Sequence, residues 1–166
     1  MQQAFEEIER HYEKVDPWGY QTNPEDAKRA DYIFGILDMF FGPGEQAEKA
    51  LDIGAGEGWI TQYLPARSIF GYELSDKAAS RFHPIITRVK KPEGQYDLVV
   101  TTGTLYHHYD WVTFLHLIKC HSSNIVLTCN IKDWEVPEVK TIGKQIFEAE
   151  FPYREWTQKL RIFKVK

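Results

Sequence analysis

The sequence predicts a doubly wound α/β sheet, mostly parallel, and three observations carry that prediction. From residue 49 to residue 131, short apolar runs alternate with polar or amphipathic stretches, the rhythm of strand and helix in turn. The first of these runs ends in a glycine turn, Asp52-Ile53-Gly54-Ala55-Gly56-Glu57-Gly58. The chain closes on two further strand-like runs, 145–151 and 160–166. Their connection is too short for the crossover a parallel pair requires, so they must be antiparallel.

A chain of 166 residues suits one domain with one core. Residues 1–44 read as an N-terminal helical segment and 45–166 as the α/β core. Residues 3–15 form a short polar helix, ended by Asp16-Pro17-Trp18-Gly19-Tyr20, where proline and glycine together break regular structure. A second helix opens at Asn23, a good N-cap, with Pro24 at its first position and Glu25 and Asp26 in its first turn. Its apolar positions, Ala27, Ala30, Ile33, Phe34, Ile36, Leu37 and Phe40, recur at helical spacing until Gly42-Pro43-Gly44 stops it. This helix should lie against the sheet. Then come a strand at 50–53, a helix at 59–64, a strand at 69–74 and a short helix at 76–82 capped by Ser75. A weak strand at 85–89 precedes a strong one at 98–102, a helix at 111–120 and a strand at 124–131. The last of these is nearly continuously apolar, as buried parallel strands are.

Composition narrows the function classes. At 43% hydrophobic and 27% charged the chain is globular, and its net charge of −4 gives no general pull toward nucleic acid or anionic membranes. A local basic run, Arg81, Arg88, Lys90 and Lys91, reads as a solvated face. Cys120 and Cys129 have neither metal-ligand nor disulfide spacing, and no metal is expected. No apolar stretch approaches the ~20 residues that span a bilayer. The start, Met1-Gln2-Gln3-Ala4-Phe5-Glu6-Glu7, lacks the regions of a signal peptide, so a cytoplasmic protein is expected.

The chemistry is concentrated around the glycine turn. Glycine there tolerates positive φ and lets a ligand approach bare backbone, while a helix opening after it would add its N-terminus. A dinucleotide fingerprint wants a small residue at the third position of G-x-G-x-x-G, but Trp59 stands there. A P-loop wants Gly-Lys-Ser/Thr, which is absent, and Glu57 inside the loop would repel a pyrophosphate. Glu73 ends the next strand, where a carboxylate accepts from both hydroxyls of a ribose. A glycine loop with a ribose acid and no phosphate site points to the adenosine of S-adenosylmethionine.

At these residues the chain resembles class I S-adenosylmethionine-dependent methyltransferases over nearly its whole length. Ala50-Leu51-Asp52-Ile53-Gly54-Ala55-Gly56-Glu57-Gly58 is similar to their first motif, which implies donor contacts at Asp52, Gly54, Ala55 and Gly56. Glu73 matches their ribose acid and Leu74 the residue that packs on adenine. Residues 96–107, Tyr96-Asp97-Leu98-Val99-Val100-Thr101-Thr102-Gly103-Thr104-Leu105-Tyr106-His107, resemble the fourth motif, which implies that Thr101 and Thr102 meet the methionine part. The resemblance implies a Rossmann-like sheet of seven strands in the order 3-2-1-4-5-7-6, with strand 7 antiparallel. Glu9-Arg10-His11-Tyr12 and Asp16-Pro17-Trp18-Gly19-Tyr20 resemble a nodulation-type subgroup best known for acting on amino groups of chitin-like oligosaccharides. Trp18 either covers the cofactor or pins the N-terminal helices to the sheet. Two departures stand out. Thr87-Arg88-Val89-Lys90-Lys91-Pro92 lacks the acid that usually meets adenine, which leaves backbone and stacking to hold it. The chain also has little room for substrate-covering insertions, so the pocket is open or is completed by the N-terminal segment or a second subunit.

The function expected is methyl transfer to a small polar acceptor through an amine or hydroxyl, with a sugar as one candidate and S-adenosylhomocysteine as product. Positioning carries most of such a reaction. His107 and His108 follow the fourth strand, with Tyr106 and Tyr109 around them. His107 is the expected general base and Tyr106 its companion, against the plainer reading that His107 caps the next helix. Asp52 is expected to order the loop and attract the donor's cationic end. Two rivals stand: a nucleic-acid or protein methyltransferase, and a catalytically silent binding module or partner subunit. Oligomeric state is left open.

Overall fold

The computed structural model describes residues 5–165, so the first residues of the expected N-terminal helix and the end of the closing strand at residue 166 lie outside the described residues. Seven strands, β1 (Ala47–Ile53), β2 (Ala66–Tyr72), β3 (Ile86–Val89), β4 (Tyr96–Thr102), β5 (Ser122–Ile131), β6 (Lys144–Tyr153) and β7 (Trp156–Lys164), form one sheet. Its order is β3-β2-β1-β4-β5-β7-β6. The β3, β2, β1, β4 and β5 ladder is parallel throughout, and β7 runs antiparallel to both β5 and β6. The order that the resemblance implies and the antiparallel seventh strand are both observed.

Helices α1 (Phe5–His11), α2 (Pro24–Phe41), α3 (Asp76–Ala79) and α4 (Trp111–His121) complete the main elements. Strand side chains alternate between faces, and each face has its own helix. On one face Ile33 and Leu37 of α2 pack with Ala50, Leu98, Val100 and Leu127. On the other, Phe114, Leu115 and Ile118 of α4 pack with Leu51, Ile53, Val99 and Val126. Asn23 caps α2 by accepting from the Glu25 N–H, and Gly42 ends it at φ 85°.

Several expectations shift. The helix expected at 59–64 is a single 3₁₀ turn, Thr61–Tyr63, because Leu64 precedes Pro65 and is held extended at ψ 137°. The first helix ends at His11 rather than residue 15, and α3 stops at Ala79 rather than residue 82. The polar stretch at 152–159 is mostly strand, and only Arg154 and Glu155 separate β6 from β7. Pro152 is tolerated because β6 is an edge strand. A 3₁₀ turn at Pro137–Thr141 was not anticipated.

Candidate active site

The parallel strands end together, and the loops leaving β1, β2, β4 and β5 face one cavity of about 250 Å³. Because β7 is antiparallel, it begins at this same edge, so the β6–β7 turn also reaches the cavity. The N-terminal segment supplies the remaining wall through Ile8, His11, Tyr12, Asp16, Trp18 and Tyr20. That segment therefore completes the pocket, as one of the sequence readings anticipated.

The first half of the cavity is built on the glycine loop. The Gly54 and Ala55 N–H groups donate to the Tyr72 carbonyl at 2.8 and 3.1 Å, tying the loop to the end of β2. Gly54 has φ 77°, and a Cβ there would collide with the Thr104 methyl, so no other residue fits. Glu73 lies just beyond β2. Its two oxygens accept from the Gly56 and Ser75 N–H groups, each at 2.8 Å. Burial pushes the Glu73 carboxyl up, and these backbone bonds oppose the rise. A carboxylate has about four lone-pair sites, so two bonds leave capacity for a diol. Leu74, partly exposed, is the apolar neighbour in the same wall.

Only a 3₁₀ turn follows the loop, so no helix N-terminus is aimed at the ligand, contrary to the expectation. Glu57 does not face an anion either. It accepts from the Asp16 N–H at 2.9 Å and pairs with Arg81, which also donates to the Tyr12 and Lys14 carbonyls at 2.9 and 3.0 Å. The loop thus latches the N-terminal segment. Glu9 of α1 adds a second latch, accepting from Ser75 Oγ and the Asp76 N–H at 3.1 and 2.6 Å. Trp18 lines the cavity with its ring 4.0 Å from that of His11, and its Nε1 donates to the Tyr12 hydroxyl at 3.4 Å.

A buried pair of opposite charges sits deeper. Asp52, 1% exposed, accepts from Thr61 Oγ1 at 2.7 Å through one oxygen, while the other has no partner among the described residues. Burial pushes its carboxyl up to about 7. Arg29 of α2 is 3% exposed and lies between the rings of Tyr20 and Tyr153, 4.9 and 5.2 Å from their centroids. Its Nε has no partner among the described residues, and Asp26 stands 3.8 Å away. Asp26 is already engaged, accepting from the Tyr153 hydroxyl at 2.8 Å and from Arg154 at 2.6 Å.

The other half of the cavity lies over β4, β5 and β7, with Tyr106, Tyr109, Trp134, Tyr153, Trp156 and Gln158 in its wall. Tyr106 is buried, its hydroxyl accepts from the Ile131 N–H at 2.7 Å, and burial pushes its ionisation up. Of the residues expected at the site, Asp52, Gly54, Ala55, Gly56, Glu73, Leu74, Thr102, Tyr106 and Trp18 line one cavity. Thr101 does not: it is buried behind the wall and bonds Thr104. His107 and His108 are exposed and stand outside the lining.

Arg29 was not anticipated, although its signal was present. Asp26, Arg29, Ala30, Ile33 and Leu37 are the buried positions of α2, so both charges fall on the stripe that periodicity assigns to the core. A charge on that stripe must be paired or functional.

A family model described as a methyltransferase domain matches residues 26–135. The N-methyltransferase NodS from Bradyrhizobium japonicum WM9, crystallised in complex with S-adenosyl-l-homocysteine, superposes with a TM-score of 0.79 at 15% identity, covering 96% of this chain and 97% of that one. The magnesium protoporphyrin IX methyltransferase ChlM from Synechocystis PCC 6803, with bound SAM, gives 0.74 at 12% identity, covering 98% and 97%. A SAM-dependent methyltransferase from Aquifex aeolicus gives 0.61 at 12% identity, covering 90% and 100%. Likenesses at such identity speak to the fold. No curated protein matches the sequence. With a family model spanning more than half the chain and the seven strands in their expected order, the protein belongs to the methyltransferase-domain family and has the class I fold.

Proposed function

We propose that the protein transfers a methyl group from S-adenosylmethionine to an amine or hydroxyl of a small-molecule acceptor. The observation that carries this reading is the lining of one cavity. It joins a carboxylate suited to a ribose, Glu73, to a buried carboxylate and guanidinium with unpartnered atoms, Asp52 and Arg29. An α-amino acid carries one ammonium and one carboxylate, and these two residues match that pair in charge. Gly54 and Gly56 lie in the same wall, with the Thr104 methyl packed against the first and the Tyr12 hydroxyl close to the second.

When bound, the donor supplies a methyl group already activated on a sulfonium. The chain's own part is binding and orientation. Glu73, fixed by two backbone N–H groups, is held ready for ribose hydroxyls. Leu74, Ile8 and the His11–Trp18 pair offer apolar and aromatic surface for adenine, in place of the acid missing after β3. Thr102 and Tyr106 line the same cavity. His107, exposed outside the wall, is assigned no proton transfer in this conformation. The basic run favours no nucleic-acid reading, since Arg81 pairs with Glu57 and Arg88 with Asp76.

Calorimetry with S-adenosylhomocysteine and with methylthioadenosine, which lacks the amino-acid end, tests the assignment. Arg29→Met is expected to weaken the first by at least about tenfold, a charged contact of ~1.5 kcal/mol or more, and to leave the second unchanged. Absence of S-adenosylhomocysteine binding at millimolar concentration refutes the reading.

A further inference from the structure

The acceptor half of the cavity has a different chemistry from the donor half. The carboxylates in the wall, Asp16, Asp52, Glu57 and Glu73, all belong to the glycine loop, the ends of β1 and β2 or the segment latched to them. At the other end the wall is made of rings. Trp134 meets Trp156 at 5.1 Å between centroids and Tyr106 at 5.6 Å, nearly perpendicular to the latter. Trp134 is 39% exposed, a large apolar surface left open at a cavity wall.

Some of the polar groups among these rings are engaged, while the Tyr109 hydroxyl, the indole N–H groups of Trp134 and Trp156 and the Gln158 amide nitrogen have no partner among the described residues. The Tyr106 hydroxyl takes the Ile131 N–H, and the Tyr153 hydroxyl bonds Asp26. The Gln158 carbonyl accepts from the Cys129 thiol at 3.3 Å. Arg154 spends one nitrogen on Asp26 and the Trp18 carbonyl. Its Nε is unpartnered among the described residues. Arg154 also holds φ 52° in a two-residue hairpin turn, a conformation that favours glycine. The chain keeps an arginine there, where its planar guanidinium faces the cavity wall's aromatic end.

Resting on the methyl-transfer reading, we propose that this half binds a planar aromatic acceptor, an acidic phenol or a heterocycle with a pyridine-type nitrogen, rather than a sugar. A sugar ring packs one apolar face on an aromatic side chain but presents hydroxyls that each need a partner, and an unpaired one is costly once buried. The free groups of this wall are mainly N–H donors, and among the described residues it holds no carboxylate to accept from a sugar's hydroxyls. An aliphatic ammonium would need a carboxylate or a base beside it; among the described residues no carboxylate lines this half, and His108, whose ring lies against Tyr106, Tyr109 and Trp134, is outside the lining. An aromatic nitrogen or an acidic phenol has a lone pair free near neutral pH and needs neither. Ring-on-ring contact with Trp134 and Trp156 then supplies affinity and edge geometry supplies orientation.

The test is calorimetry on the protein saturated with S-adenosylhomocysteine, titrated with 4-nitrophenol, 3-hydroxypyridine, glucosamine and fully deacetylated chitotriose. Binding of an aromatic probe and of neither sugar is the expected result, with methylated product detected by mass spectrometry when S-adenosylmethionine replaces the product. Trp134→Ala is expected to weaken the aromatic probe at least tenfold while S-adenosylhomocysteine affinity stays within twofold, which also shows that the variant is folded. Binding of a sugar in preference, no binding of either aromatic probe, or indifference to Trp134→Ala overturns the inference. A wild-type protein that fails to bind S-adenosylhomocysteine overturns the methyl-transfer reading instead.

Discussion

Asp52→Asn separates the charge of Asp52 from its shape. In the folded protein this carboxyl sits at about 7 against an ordinary 3.8, because burial disfavours its charged form. That difference corresponds to roughly 4 kcal/mol. The folded state holds the proton more tightly than the unfolded chain, so the contribution to stability is complete below about pH 4 and is lost as pH rises to about 7. Between about pH 5 and about pH 7.5 the ligand-free protein should lose roughly 2.5 kcal/mol from this group alone. Asparagine keeps an acceptor for the Thr61 hydroxyl and carries no charge, so Asp52→Asn should lose none of it. Urea denaturation of both proteins at the two pH values reads the difference directly. Ligand reverses the sign. An ammonium placed against Asp52 favours the ionised form, so S-adenosylhomocysteine affinity should rise with pH toward 7 in the wild type and be weaker and flat in the variant. A variant whose stability falls with pH as steeply as the wild type's, or that binds S-adenosylhomocysteine as tightly, refutes the assignment of Asp52 to the donor's amino group.

Gly54→Ala should destabilise the fold by about 2 kcal/mol or more, since φ 77° is strained for alanine and its methyl would strike Thr104; the denaturation midpoint reports it. Arg81→Ala removes the partner of Glu57 and two carbonyl bonds to the N-terminal segment. It should speed S-adenosylhomocysteine dissociation several-fold in stopped-flow experiments, for a loss of about 1 kcal/mol at this partly exposed cluster, and an unchanged dissociation rate would show that the latch does not hold the cavity closed.

The sheet order was legible only through the family resemblance, whereas the donor half of the site was legible because local rules decide it. A strand, a glycine turn and an acid at the next strand end are neighbours in sequence or nearly so, and Gly54, Gly56 and Glu73 meet as that pattern requires. The helix after the loop was misread because apolar spacing over six residues fits a helix, while Pro65 and the nearby start of β2 leave space for one turn. Strand ends in the β6–β7 hairpin were misread because the stretch is polar: Pro152 and Tyr153 end the edge strand β6, and Trp156–Lys159 open the interior strand β7, where Gln158 is buried. Of the acceptor half only Tyr106 and Tyr109, which follow the fourth strand, were legible. Tyr106, Trp134 and Trp156 come together only because β7 starts beside the end of β5, a contact made by topology rather than by neighbours.

The short turn after the glycine loop and the inward charges of α2 belong to one solution. A helix N-terminus at the loop would place partial positive charge where a phosphate binds. Here the loop is followed by a 3₁₀ turn, and the full positive charge comes instead from Arg29 of α2, buried between the rings of Tyr20 and Tyr153. Positive charge is thereby moved from the loop to α2, while Asp52 stays at the end of β1, an arrangement that suits a ligand carrying both a cation and an anion and opposes a pyrophosphate lying on the loop. Arg29 also settles why Asp26 is buried. With Arg154 and the Tyr153 hydroxyl on its oxygens, Asp26 ties α2 to the β6–β7 turn, so the helix carrying the cation and the hairpin carrying the aromatic wall are positioned by the same carboxylate.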